Sequence, residues 1–114
     1  MTLEELYNTT GGNYRDTVNR FGDAEMVKRF VRKFVTDKSF EQLKDALFAG
    51  ETENAFRSCH TLKGVCLNLG FGDLLSVCID MTELLRRSLL DEAREMFPTL
   101  EARYNDLVSA IAKL

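Results

Sequence analysis

Several absences narrow the reading before any motif does. The 114-residue chain has a single histidine, His60, and a single proline, Pro98. One histidine with no nucleophile elbow and no base–nucleophile pattern leaves no credible hydrolase triad. No apolar run approaches the ~20 residues that a membrane-spanning helix needs. The opening Met1-Thr2-Leu3-Glu4-Glu5 is not that of a signal peptide, so the expected location is the cytoplasm. The three cysteines, Cys59, Cys66 and Cys78, are odd in number and lack C-x-x-C spacing, which predicts free thiols in a reducing compartment. Cys59 and Cys66 stand two helical turns apart, about 10 Å along the axis at ~1.5 Å per residue. Zinc needs sulfur ligands at about 2.3 Å each, so no metal site is expected. A net charge of −3 gives no strong attraction to nucleic acid or anionic membrane. Leu69-Gly70-Phe71-Gly72-Asp73 completes neither a dinucleotide fingerprint nor a P-loop. No strand signal, repeat, linker or low-complexity tract interrupts the chain.

What remains is a helical pattern. Apolar residues make up 45% of the chain, enough for one globular domain spanning residues 1–114 with its own core. Thr2 to Glu5 reads as a capping box opening a short helix with Leu3, Leu6 and Tyr7 inward, stopped by Gly11-Gly12. A second short helix, about 13–21, carries Tyr14, Val18 and Phe21 on one side. These pieces form an N-terminal extension, about 1–22, expected to lie across one end of a bundle formed by about 23–114. Asp23 caps a helix with Val27, Phe30, Val31 and Phe34 on its apolar face. The next apolar set, Phe40, Leu43 and Leu47, is out of register with the first, so a break falls near Thr36–Ser39 and Ser39 is expected to cap anew. Gly50 ends that helix. A central helix follows over about 52–69, with Gly70 as its C-cap. Asp73 is expected to cap the next helix, about 73–88, whose seam is Leu74, Cys78, Met81 and Leu85. The last opens at Asp91 and keeps one seam through Ala93, Phe97, Leu100, Tyr104, Leu107, Ile111 and Leu114. Pro98 should therefore bend that helix rather than end it. The fold class is all-α: an antiparallel up-down four-helix bundle with additional short N-terminal helices.

The chemistry concentrates in the central helix. Ala55, Cys59, Leu62, Cys66 and Leu69 recur at spacings of four and three, which marks its buried seam. At about 100° per residue, His60 lies roughly 120–140° off the centre of that seam, on the flank near the water line. Lys63 sits one turn ahead. Gly64, at i+4, stands beside the imidazole on the outward side. A glycine inside a helix costs about 0.5–1 kcal/mol relative to alanine. Its simplest use here is to let something large approach His60. A cation one turn away and an open imidazole nitrogen suit a phosphoryl group, which carries about −1.5 to −2 charges. Alone, such a histidine is more often an ordinary boundary residue.

The residues His60-Thr61-Leu62-Lys63-Gly64, followed by Leu69-Gly70, resemble the H-x-[LIF]-K-G-x4-[LIF]-G signature of histidine-containing phosphotransfer (HPt) domains. The resemblance implies that His60 is the phosphorylated residue. It also implies that the partners are receiver domains of response regulators or hybrid histidine kinases. On this reading His60 accepts a phosphoryl group from a receiver phosphoaspartate and passes it to another receiver. Lys63 steadies the phosphate and Gly64 gives the receiver clearance. The chain needs no cofactor of its own, the divalent metal belonging to the receiver. A kinase cannot be encoded in this length, so the expectation is a free-standing, monomeric phosphotransfer intermediate, not an enzyme in its own right.

Neighbouring residues complete the candidate face. Arg57, one turn before His60, is placed to balance phosphate charge or to be simply exposed. Arg86 matches a position that is basic in some HPt domains. Leu67 lies only ~20° from His60 around the helix and is the best candidate for an exposed apolar contact to a partner. Phe56 and Phe71 read as core packing. One departure stands out: where several HPt domains use a Gln or Glu to hold the imidazole, this chain has Thr82, with Glu83 beside it. The alternatives are a helical adaptor that binds without chemistry, and an inhibitor that docks on a receiver without accepting phosphate.

Overall fold

A computed structural model describes the whole chain, Met1–Leu114. It is entirely helical: α1 Leu3–Thr9, α2 Tyr14–Phe21, α3 Ala24–Phe34, α4 Ser39–Ala49, α5 Thr52–Leu69, α6 Gly72–Arg86 and α7 Leu90–Ile111. Helix α5 packs between α4 and α6, and α7 closes the bundle against α6 and α4. The links between these four helices are two or three residues long, which makes each neighbour antiparallel to the last. Helix α3 lies against α5.

Local signals account for most boundaries. Thr2 Oγ1 accepts from the Glu5 backbone N–H at 3.1 Å and donates to the Glu5 carboxylate, opening α1. Asn13 and Asp23 cap α2 and α3 in the same way, at 3.0 and 2.7 Å. Gly50 and Gly70 both adopt left-handed φ, +79° and +74°, and end α4 and α5. Gly70 is also tightly enclosed, since a Cβ there would sit 2.5 Å from Thr17 Oγ1.

Some expectations fail for identifiable reasons. Ser39 does not cap α4: its backbone N–H donates to Asp37 Oδ1 at 2.8 Å and its side chain is buried. Asp73 does not cap α6, which starts at Gly72; its backbone N–H instead donates to the Thr10 carbonyl at 3.1 Å. That helix stops at Arg86, two residues early, because Ser88 takes a positive φ of +57°. Phe30 is 40% exposed, because it falls at the edge of the stripe formed by Val27, Val31 and Phe34. Helix α7 begins at Leu90, one residue before Asp91, and ends at Ile111, so Leu114 lies beyond it. It runs through Pro98 without a break.

One apolar core joins the elements, and Leu3, Leu6 and Tyr7 of α1 belong to it. Tyr14, Val18 and Phe21 of α2 are only half-buried against this core; the buried α2 residue is Thr17, whose hydroxyl donates to the Asn13 carbonyl. The two N-terminal helices meet the bundle where α5 turns into α6. There Tyr7 Oη donates to the Leu69 carbonyl at 2.6 Å, and Arg20 reaches the Leu67 carbonyl at 3.5 Å. The end of the site-bearing helix is thus held from outside the bundle.

Candidate functional site

Helix α5 buries Ala55, Cys59, Leu62, Cys66 and Leu69. The remaining arc of its surface carries the candidate residues. His60 is exposed, as its position on the flank requires. No protein group hydrogen-bonds either of its ring nitrogens. The nearest ring is that of Phe56, one turn back, with centroids 5.9 Å apart and planes tilted by 41°.

Gly64 faces outward into open space: a Cβ built there would meet nothing within 4 Å. No packing constraint therefore calls for glycine, and helix propensity argues against it. Lys63 is half-buried and free of ion pairs. Leu67 is 58% exposed, the most exposed large apolar side chain in the protein.

The two arginines differ from Lys63 in having carboxylate partners. Arg57 pairs with Glu53 one turn earlier on α5, and both side chains are well exposed. Arg86, on α6, pairs with Glu83 at 3.2 Å and places its guanidinium 5.3 Å from the centre of the Phe56 ring. Exposed pairs of this kind are worth little, yet each spreads part of its charge onto a neighbour. Lys63 is therefore the cation beside His60 whose charge is uncommitted.

Thr82 does not hold the imidazole. It is buried, and its hydroxyl donates to the Cys78 carbonyl at 2.6 Å, with Cys59 Sγ 3.2 Å away. Glu83 turns to Arg86. No hydrogen bond from this position reaches the imidazole, because the residue there is short and belongs to the core. Phe56, expected as core, is only half-buried and touches both His60 and Arg86. Its i−4 spacing from His60 was visible in the sequence; the arrival of Arg86 from another helix was not. Phe71 is fully buried, as expected of a core residue.

The cysteines are free and buried. A hydrogen bond to Cys78 and burial push the Cys59 thiol well above its usual range, so it stays protonated and unreactive. No cluster of three or more His, Cys, Asp or Glu is placed to hold a metal ion. No helix is long and apolar enough to cross a membrane.

Helix α5 thus gathers an exposed imidazole, an uncommitted ammonium, an open glycine and an exposed leucine on one face. Helix α6 adds Arg86. Arg57 stands at the margin, turned to Glu53. A model of the Hpt domain family matches residues 25–111, which covers all but the first residue of α3 and runs to the end of α7. No curated protein and no solved structure gives a significant match.

Proposed function

The chain belongs to the Hpt domain family, phosphotransfer modules of two-component signalling that act with receiver domains and have no kinase activity, and from that premise we propose that His60 carries the phosphoryl group between two receivers. The observation that carries the reading is the pairing of the chain's one histidine, exposed, with an uncommitted Lys63 and an open Gly64 on the same helix face.

The step is a direct displacement. A phosphorylated receiver docks over the His60 face of α5. The lone pair on the outward nitrogen, Nε2, attacks phosphorus in line. A P–N bond forms, and the P–O bond to the receiver's aspartyl group breaks, returning its electron pair to the carboxylate. The ring gains a positive charge and sheds it as the Nδ1 proton to water. Lys63 offsets charge on the equatorial oxygens. Leu67, Arg57 and Arg86 contact the receiver. The carboxylates and divalent metal come from the receiver, so the bundle supplies nucleophile, charge and shape. Reversal onto a second receiver completes the relay.

Mixing the protein with a phosphorylated receiver should place an acid-labile label on His60. The absence of a hydrogen bond to either ring nitrogen favours a second reading, an inhibitor that docks without accepting phosphate. That reading predicts receiver binding that survives His60→Ala, with no label on the wild type. A helical adaptor would show neither label nor dependence on the receiver's phosphorylation.

A further inference from the structure

A nucleophilic imidazole must present one nitrogen along the line of attack, and a freely turning exposed ring does so only part of the time. Here neither ring nitrogen has a hydrogen-bond partner, and Thr82, across the α5–α6 seam, spends its hydroxyl inside the core. What does touch the ring is Phe56. The centroid separation of 5.9 Å falls within the range of aromatic pairs, with the two planes tilted by 41°. Phe56 is itself held. The Arg86 guanidinium lies 5.3 Å from its ring centre, within cation–π range, and Glu83 anchors Arg86 at 3.2 Å. Glu83, Arg86, Phe56 and His60 therefore form one continuous contact from α6 to the reacting ring.

Resting on the phosphotransfer reading, we propose that Phe56 is the positioning residue of His60, and that Arg86 acts on the imidazole through it. The contact takes the place of a hydrogen bond to Nδ1. It differs in kind: a ring tilted against the imidazole restricts its rotation but leaves Nδ1 without a hydrogen-bond partner.

The test uses the full chain with Phe56→Leu, Phe56→Tyr and Arg86→Gln. Two readouts are taken: the proton chemical shifts of the His60 ring, which a neighbouring aromatic ring displaces, and single-turnover transfer from a phosphorylated receiver at saturating concentration. Phe56→Leu should move the ring protons toward the values of an unstacked histidine. It should also slow saturated transfer by about 3–10-fold, the range an aromatic pair supports, with receiver affinity unchanged. Phe56→Tyr should keep both values near wild type. Arg86→Gln, at an exposed site where folding is not at risk, should shift the same ring protons in the same direction by less. Unmoved His60 shifts in Phe56→Leu and Arg86→Gln overturn the proposal. A loss that appears only in receiver affinity also overturns it, making Phe56 a docking contact. Should the wild type take no label while the shifts still move, the phosphotransfer reading fails and Phe56 still stands as what holds the ring.

Discussion

The phenol of Tyr7 and the carbonyl of Leu69, 62 residues apart in sequence, share a buried hydrogen bond of 2.6 Å. It joins the first helix of the chain to the last turn of the helix that carries His60. The last carbonyls of a helix have no partner within the helix; here one is satisfied by a residue outside the region the family model matches. The N-terminal helices are therefore more than an appendage: they fix the end of α5 and the turn into α6.

Tyr7→Phe should cost about 1–3 kcal/mol by stranding that carbonyl. It should also alter the alkaline limb of the stability curve. Burial pushes the Tyr7 phenol from 10.0 up to about 12, against smaller lowering effects of Thr17 and Arg20. A raised folded-state value means that this contribution is complete below about pH 10. Between about pH 10 and 12 the unfolded chain gives up the proton while the folded chain keeps it, so stability falls as pH rises. Thermal melts from pH 8 to 12 should show a shallower alkaline decline in the variant than in the wild type. Tyr104, also raised by burial, stays common to both proteins. Parallel curves would mean that the Tyr7 proton is not linked to folding.

His60→Gln should abolish acid-labile labelling from a phosphorylated receiver. The side chain is exposed and makes no hydrogen bond, so the change in stability should stay within about 0.5 kcal/mol. Circular dichroism and melting temperature test the second half. Label retained in the variant would place the phosphoryl group elsewhere.

Lys63→Ala should slow transfer by roughly tenfold, the effect of losing one charge-assisted contact of about 1.4 kcal/mol. The amine has no partner in the free protein, so the melting temperature should barely change, and the phosphorylated form should lose more stability than the unphosphorylated form. Lys63→Arg keeps the charge and should recover much of the rate. An unchanged rate in Lys63→Ala would make Lys63 an ordinary surface lysine.

How far these features could be read from the sequence depends on the range of the forces behind them. The seam of α5 and its limits, Thr52 to Leu69, follow from a repeat of apolar residues and from glycines in left-handed turns, both of which act within a few residues. The exposure of His60, Gly64 and Leu67 follows from the same geometry. The caps of α4 and α6 do not, because other partners decide them: Asp37 Oδ1 takes the Ser39 N–H, and the Thr10 carbonyl takes the Asp73 N–H from 63 residues away. The burial of Thr82 and the stacking of Arg86 on Phe56 depend on how α6 seats against α5, which no single-helix pattern encodes.

Gly64 offers the test in which stability and function move in opposite directions. A Cβ at this position meets nothing within 4 Å, so alanine fits without displacement. Alanine is also the better helix former, and Gly64→Ala should stabilise the protein by up to ~1 kcal/mol. In a domain of this size that corresponds to a rise of roughly 4–8 °C in melting temperature. Gly64→Gln should keep part of the gain, because glutamine is also a good helix former and its side chain extends into open space. One turn beyond His60, however, on the proposed docking that side chain would occupy the path by which a phosphorylated receiver reaches the imidazole. Transfer should therefore fall steeply in Gly64→Gln while the fold holds, with Gly64→Ala between it and the wild type. The pair of measurements is a thermal melt and single-turnover transfer on the same samples. Melting well below wild type would show that the position packs against something in solution. A normal melt with wild-type transfer would move the receiver's approach away from this face of α5.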